Sequence, residues 1–337
     1  MPARRKRPTI RDIATETGLS PAAVSYALRG LQVPEETQQR VREAAERLGY
    51  EADPIARALA SGRTGLVGVL CGSLADGWQQ SVAAELGRGL LGADRNALIV
   101  DAANDRAREA ALAKHLLDQR VDALITLPVD PRSAHWTDAA SRTVLVAIGD
   151  ALPDASTAAE IVFDNTTGVT EALRTLAAAG HTRVTVFTPA RAGTPDRPAE
   201  LVVQQVAPAL GITASLVDCP HDLDGAAAVA LDVLSMQPRP TAVFCLADSM
   251  AYGVYDAARS LGLSIPRQLS VLGYDDQPMS RILTPPLSSY AWPIDELVAA
   301  VVERVVRAID DGRRSRRKVL TPEPRPRDSI APPGSRG

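Results

Sequence analysis

The chain has 337 residues, which is enough for two or three domains of about 100–200 residues each. It is 45% hydrophobic and 23% charged, and it contains neither an apolar run near the roughly 20 residues of a membrane span nor the apolar core of a signal peptide. Its net charge is −3, and its three widely spaced cysteines match no metal site, so we expect a cytoplasmic protein with reduced thiols and no membrane contact.

The charge is distributed unevenly along the chain. Residues 1–63 carry 11 Lys and Arg against 8 Asp and Glu, a net of +3, whereas residues 64–337 carry 26 against 32, a net of −6. Five basic residues and no acidic residue lie within residues 1–11. A small basic segment on an acidic body predicts that only the first segment binds a polyanion, although a solvated basic tail would have the same composition.

Short helices are predicted near the amino terminus. Thr9 and Asp12 have the spacing of a capping box, and Gly18 supplies the left-handed conformation that ends a first helix. Ser20 is placed to cap a second helix, with Pro21 at its first position, where a missing amide hydrogen costs nothing.

A third helix is predicted from about Pro34 to Leu48, after Gly30 has ended the second. Two helices joined by a short glycine turn form a helix-turn-helix, whose second helix enters the major groove of DNA. A plain helical bundle is the alternative, and the adjoining basic arm favours the DNA-binding motif.

From Gly65 onward, short apolar runs alternate with helical stretches. The runs form two series, which are Leu66–Leu70, Ala97–Val100, Ala123–Leu127 and Val144–Ile148, followed by Val184–Phe187, Ser215–Val217, Ala242–Leu246 and Ser270–Leu272. Such strands indicate parallel sheets covered by helices on both faces. We expect two doubly wound α/β subdomains with a ligand cleft between them, at the carboxyl ends of the strands.

Enzyme signatures are weak. Gly87 to Gly92 fit the dinucleotide fingerprint G-x-G-x-x-G, but Gly87 lies 17 residues after Leu70 instead of directly after a strand. We therefore expect these glycines to serve helix packing, and His181 to lie at a helix end. The sequence contains no G-x-S-x-G, P-loop or H-E-x-x-H motif, so we predict neither an enzyme nor a cofactor.

Three segments resemble the LacI/GalR family of bacterial transcription repressors. They are TIRDIATETGLSPAAVSYALRG, VPEETQQRVREAAERLGY and ADPIARALASGRTGLVGVL, collinear from Thr9 to Leu70. A thinner similarity continues in GVTEALRTLAAAGHTRVTVF, in the segment from PTAVFCLADSM to LTPPLSS, and in RDSIAP. The resemblance implies an N-terminal all-α helix-turn-helix headpiece, a hinge helix and a core similar to periplasmic binding proteins.

The resemblance also implies the domain boundaries. They are 1–51 for the arm and headpiece, 52–62 for the hinge helix, 63–159 and 290–318 for the first subdomain, and 160–289 and 319–330 for the second. The chain then crosses three times between subdomains, and residues 331–337 are expected to be a disordered tail. No further heptad helix follows, so the resemblance implies a homodimer that binds a pseudo-palindromic operator.

The resemblance assigns DNA contacts to the head and the hinge. The residues are Thr9, Ser20, Pro21, Ala22, Ala23, Ser25, Tyr26, Arg29, Ile55, Ala56 and Leu59. A hinge helix this short is marginal alone, so it is expected to form with its dimer mate on DNA, where Leu59 inserts between base pairs. Family members often have hydrogen-bonding side chains where this chain has Pro21, Ala22 and Tyr26, so we expect weak reading of bases.

The resemblance also indicates which residues bind a small-molecule effector. They are Trp78, Asp164 (or its neighbour Asn165), Arg197, Asp248 and Asp275. An arginine, carboxylates and an aromatic ring suit a polyhydroxyl ligand such as a sugar, although each residue also has an ordinary role as a loop or capping residue. We therefore predict an effector-controlled repressor, with a solute-binding module or a DNA-binding regulator without an effector as alternatives.

Overall fold

The computed structural model describes residues 8–28, 30–31, 33–50, 62–189, 198–315 and 317–334. The chain divides into two compact units, Met1–Thr64, here called the head, and Gly65–Gly337, here called the body. None of the helices within the described ranges has the length and apolar character that crossing a membrane requires. The predicted hinge, residues 52–62, lies outside the described residues except for Gly62.

Three helices form the described part of the head. They are α1 (Ile10–Thr17), α2 (Pro21–Leu28) and α3 (Glu35–Leu48). The backbone N–H of Thr9 donates to Asp12 Oδ2 at 2.7 Å, and Gly18 ends α1 with φ of +68°, so the predicted capping box and stop are confirmed. Ser20 Oγ accepts the N–H of Ala23 at 3.2 Å and begins α2 as predicted.

Each head helix contributes fully buried residues to one small core. Ile13 of α1, Val24 and Ala27 of α2, and Val41 and Ala44 of α3 are each 0% exposed. Helices of 8 residues are marginal in isolation, so this shared core is what holds α1 and α2 in place.

The first subdomain of the body is built on a six-stranded parallel sheet. Its strands are β1 (Leu66–Cys71), β2 (Asn96–Asp101), β3 (Ala123–Leu127), β4 (Val144–Gly149), β5 (Ala159–Phe163) and β11 (Lys318–Leu320), in the order β11-β5-β4-β3-β1-β2. Its helices are α4 (Gly77–Gly92), α5 (Arg106–Asp118), α6 (His135–Arg142) and α11 (Ile294–Asp311). Helices α4 and α11 pack on one face and α5 and α6 on the other, as the alternating buried strand side chains require.

The second subdomain is built on a four-stranded parallel sheet. Its strands are β6 (Arg183–Pro189), β7 (Thr213–Cys219), β8 (Ala242–Cys245) and β9 (Ser270–Leu272), in the order β7-β6-β8-β9. Its helices are α7 (Asn165–Ala178), α8 (Pro198–Ala209), α9 (Leu223–Ser235) and α10 (Asp248–Ser260), followed by a 3₁₀ turn at Pro278–Arg281. Strands β10 (Ser289–Ala291) and β12 (Glu323–Arg325) pair antiparallel as a small separate sheet.

Two predicted boundaries need correction. Ala159 pairs with Val146 of β4, so residues 160–163, assigned above to the second subdomain, belong to the first sheet. Leu320 pairs with Phe163, so residues 319–320 belong there too. Strand β5 is not evident from the sequence because Glu160 interrupts its short apolar run.

The predicted tail also needs correction at its start. The N–H of Ala331 donates to Ser270 Oγ at 3.1 Å, and Ser270 Oγ donates back to the carbonyl of Ala331 at 3.0 Å. The imidazole of His181 lies 2.9 Å from Thr241 Oγ1 and 3.0 Å from the carbonyl oxygen of Ala331. His181 does follow the end of α7, and its side chain ties the carboxyl-terminal segment to the second sheet.

Of the three glycines of the α4 pattern, Gly89 serves helix packing as predicted, whereas Gly92 has nothing within 4 Å of an added Cβ atom. A Cβ atom added at Gly89 would lie 3.0 Å from Val302 Cγ2 on α11. The pattern Gly87–Gly92 lies inside α4 and does not connect a strand to a helix.

Candidate nucleic-acid interface and ligand cleft

Helix α2 has one face in the head core and another in solvent. Val24 and Ala27 are buried, whereas Pro21 and Ala22 are exposed and Tyr26 is 40% exposed. Ala22 and Tyr26 are four residues apart and therefore lie side by side on the helix surface. The predicted contact residues of α2 thus form one surface on which the tyrosine is the largest side chain.

Other predicted head residues hold this surface in place. Thr9 Oγ1 donates to Asp12 Oδ2 at 2.8 Å at the start of α1, and Ser20 caps α2. Ala23 and Ser25 are half-buried on the flanks of α2. Four predicted DNA-contact residues lie outside the described residues, namely Arg29, Ile55, Ala56 and Leu59, as does the predicted effector residue Arg197.

A cavity of about 160 Å³ lies in the body, at the carboxyl ends of strands from both sheets. Four of the described aromatic residues line it, and three of them, Trp78, Phe163 and Trp292, are in edge and stacked contact. The Trp78 and Phe163 ring centroids are 5.3 Å apart at 82°, and the Phe163 and Trp292 centroids are 4.3 Å apart at 29°. Cavity walls of this kind suit a ligand with an apolar face.

Trp78 lies where the sequence predicts it. Its backbone N–H donates to Asp76 Oδ1 at 2.9 Å, which caps α4 and fixes the position of the indole beside the cavity. The side chain is 6% exposed, and its Nε1 has no hydrogen-bond partner among the described residues. A buried donor without a partner is costly unless a ligand or water accepts from it.

Asp275 also lines the cavity. Its backbone has φ of +140°, a strained conformation for a residue with a side chain, and its N–H donates to the carbonyl of Tyr290 at 2.7 Å. Burial raises the pKa of its carboxyl group well above the usual range, and the neighbouring carboxylates of Asp76 and Asp248 raise it further. This carboxyl group is therefore held in a strained and weakly solvated position beside the ligand space.

Asp248 has a different environment from the one the sequence suggests. It is 0% exposed and is not among the described residues that line the cavity. Its carboxylate accepts the N–H of Gln277 at 2.8 Å and the hydroxyl of Ser289 at 2.6 Å, and also the hydroxyl of Ser280. Burial raises the pKa of Asp248 although these hydrogen bonds act against the rise. The contacts indicate that Asp248 anchors the start of α10.

Asp164 likewise has a structural position. It caps α7, accepting the N–H of Thr167 at 3.0 Å and its hydroxyl at 2.7 Å. The next residue, Asn165, is the one that lines the cavity. Of the predicted effector residues that the structure describes, Trp78 and Asp275 therefore meet at the cavity, together with the alternative Asn165.

Sequence reasoning missed three aromatic residues of the cavity, Phe163, Tyr274 and Trp292. Phe163 ends β5, the strand that was not predicted, and Trp292 directly follows β10. The chain contains only 3 Trp, 3 Phe and 6 Tyr, so an aromatic residue at a strand end was an available signal for the site.

Two segments of the chain match described protein families. Residues 9–53 match bacterial regulatory proteins of the lacI family, and residues 173–330 match a periplasmic binding protein-like domain.

Similar proteins span nearly the whole chain. The ribose operon repressor of Haemophilus influenzae is 28% identical over 331 residues, covering 96% of this chain and 98% of its own length. The transcriptional regulator MalR of Streptomyces coelicolor is 29% identical over 343 residues, covering 97% of this chain and 98% of its own length.

Solved structures share the fold. A lac repressor dimer bound to operator and the anti-inducer ONPF has a TM-score of 0.85 at 21% identity, covering 97% of this chain and 100% of that one. A complex of the transcriptional regulator CelR with cellobiose has a TM-score of 0.67 at 22% identity, covering 96% of this chain and 100% of that one.

Proposed function

The chain belongs to the LacI family of bacterial regulatory proteins, and we propose on that premise that it is a dimeric transcriptional repressor controlled by a small molecule. The observation that carries this proposal is the helix-turn-helix head, in which α2 offers a solvent-facing surface on a core of its own. Similar proteins are named as repressors, and a related structure contains a dimer on an operator. Such a protein acts at the bacterial chromosome, in the cytoplasm.

DNA recognition by this head depends more on the shape of the operator DNA than on direct contacts with the base edges. The exposed face of α2 offers alanine methyl groups and one tyrosine hydroxyl, none of which forms the two-pronged hydrogen bonds that distinguish guanine. The basic arm of residues 1–11 supplies phosphate contacts, and Leu59 of the hinge supplies the wedge that opens the minor groove. Specificity then comes largely from how easily the operator bends.

The proposed effector is a sugar or a related metabolite, bound in the cavity of the body. Trp78 and Trp292 line the cavity, and aromatic rings of this kind pack against the C–H face of a sugar ring, while the carboxyl group of Asp275 hydrogen-bonds to hydroxyl groups. Relatives of this fold were solved with cellobiose and with lactose. A ligand held by both subdomains favours their closure, which separates the hinge helices of the dimer and weakens operator binding.

A salt-dependent gel shift with DNA from the upstream region of the protein's own gene tests the proposal. Leu59→Ala removes the wedge. We expect this substitution to weaken the affinity for the operator about tenfold or more, which is the loss of affinity that one or more mismatched base pairs typically cause. Tyr26→Ala removes one hydrogen bond worth about 1 kcal/mol, so we expect about a fivefold loss.

Leu91→Ala is the matched control, because Leu91 is an exposed leucine of the body at 67% exposure. It should leave DNA binding unchanged. Equal and small effects of Leu59→Ala and Tyr26→Ala would contradict the ranking. A full chain that bound sugars but no DNA would favour the solute-binding module.

A further inference from the structure

A second pocket lies on the body at the opposite end of the second sheet from the cleft. Its volume is about 710 Å³, and it is lined by side chains from where β6, β8 and β9 begin. Three of its lining residues are arginines, Arg183, Arg239 and Arg267, and we call it the arginine pocket. The strands of a parallel sheet run away from this edge, so it is separate from the cleft at their carboxyl ends.

The arginine pocket has a local positive charge that its surroundings do not balance. Within the described part of the chain, none of its three arginines has a carboxylate oxygen within 4.0 Å. The segments that form it, residues 181–183, 237–241, 265–270 and 331–334, contain no Asp or Glu. Elsewhere on the body arginines are commonly paired, as Arg327 is with Asp276.

Two of the guanidinium groups are held in place by backbone carbonyls. Arg239 Nε donates to the carbonyl of Leu234 at 2.7 Å, and Arg183 Nε and Nη2 both lie 3.5 Å from the carbonyl oxygen of Arg239. Both side chains are half-buried. Anchoring through Nε leaves the terminal nitrogens of Arg239 available as donors, with less side-chain entropy left to lose on binding.

A purely structural explanation covers only part of this arrangement. Leu234 lies in the last turn of α9, where a cation interacts favourably with the negative end of the helix dipole. This accounts for Arg239. It does not account for Arg183, whose bonds to a carbonyl are long, nor for Arg267, which is exposed.

We propose that the arginine pocket binds the phosphate group of a small phosphorylated metabolite. A phosphate dianion offers three strong acceptor oxygens, and planar guanidinium groups match it with paired hydrogen bonds. Gln268 adds a neutral amide group to the lining of the pocket. The volume exceeds what a bare phosphate ion fills and lies within the range of small-molecule sites. This inference is independent of the proposed function, because it concerns neither the head nor the cleft.

Calorimetric titration of the full chain with glycerol 3-phosphate tests the proposal, with glycerol as the uncharged counterpart. We expect the phosphate ester to bind and glycerol to give no heat of binding. Arg183→Gln and Arg267→Gln should each weaken binding about tenfold, because each removes a charge-assisted hydrogen bond. Arg267 is exposed and makes no described hydrogen bond, so its substitution leaves the fold intact.

Arg174→Gln is the matched control. Arg174 is an exposed arginine of α7 in the same subdomain, and it does not line the arginine pocket. The control should bind the phosphate ester as the wild type does. Absence of binding by the wild type, or equal affinity of the wild type, Arg183→Gln and Arg267→Gln, would overturn the proposal. Neither result would bear on DNA binding, which the gel shift tests separately.

Discussion

At the residue scale, Asp275 combines features that a surface aspartate does not have. It lines the cavity, its backbone is strained, and burial disfavours its charged form. Burying a carboxyl group costs folding free energy that burying a neutral side chain would not cost. A residue that is costly in the free protein and faces the ligand space is typical of a binding site.

Asp275→Asn should therefore stabilise the unliganded protein at neutral pH. The pKa of Asp275 is raised in the folded state, while an unfolded aspartate titrates near pH 3.9. Its contribution to stability is thus fully present below about pH 4 and is lost as the pH rises through the raised pKa. We expect the variant to be more stable than the wild type at pH 7 and to differ little from it in stability near pH 4.

Melting temperatures of both proteins between pH 4 and pH 8 measure this difference. Asp311→Asn makes the same change at an exposed position of α11 and is the control for the loss of one carboxylate. If the difference in melting temperature between Asp275→Asn and the wild type stayed constant with pH, this would contradict the expectation.

Side-chain direction limits what sequence can predict at this scale. Both Trp78 and Asp248 follow strands as predicted, yet only Trp78 lines the cavity. The side chain of Asp248 turns inward because it accepts hydrogen bonds from the hydroxyl groups of Ser280 and Ser289. These two residues lie 32 and 41 positions further along the chain. A contact between residues so distant in the chain is not contained in local spacing.

At the scale of elements, helices α9 and α10 approach more closely than side chains normally allow. A Cβ atom added at Gly253 of α10 would lie 2.5 Å from both the backbone carbonyl carbon and the Cβ atom of Ala226 on α9. The backbone of α9 cannot move aside without disturbing the sheet beneath it. Gly253 is therefore required for this helix pair.

Gly253→Ala should lower the free energy of unfolding by about 1–3 kcal/mol, the usual cost of overpacking. Gly92→Ala is the matched control in α4, since nothing lies within 4 Å of the added Cβ atom. The control should be neutral, or stabilising by up to about 1 kcal/mol. Denaturant titration measures the free energy of unfolding of both variants and of the wild type. If Gly253→Ala were as stable as the wild type, α9 and α10 would be able to move apart freely.

The predicted elements differ in how strongly the sequence encodes them. The strands β1, β3 and β4 are continuous apolar runs buried on both faces, and they were predicted within a residue or so. Strand β5 is half-buried at several positions and contains Glu160, so its apolar signal is weak. Strand β11 has 3 residues, and only its pairing with β5 identifies it.

At the scale of the whole molecule, ligand binding in the cleft should stabilise the body by mass action. A ligand at 100 times its Kd adds about 2.7 kcal/mol. The cavity of about 160 Å³ is small for a binding site, so we expect ribose or glucose to raise the melting temperature more than cellobiose does. Thermal-shift measurements on the full chain test this.

Asp275→Asn is the control for this screen, because it replaces a carboxyl group that lines the cavity. It should lose most of the sugar-dependent shift. If no carbohydrate raised the melting temperature of the wild type, a regulator without a sugar effector would be favoured.

The repeated crossing of the chain between the two sheets has a consequence for biosynthesis. Strand β11 completes the first sheet, and the buried Ser329 completes the second by accepting the N–H of Val271 through its carbonyl at 3.0 Å. A nascent chain on the ribosome therefore finishes the first lobe only after β11, and the second only after Ser329, has been translated. Termination before β11 is translated would leave two unfinished lobes in place of one complete lobe, and such products should be degraded.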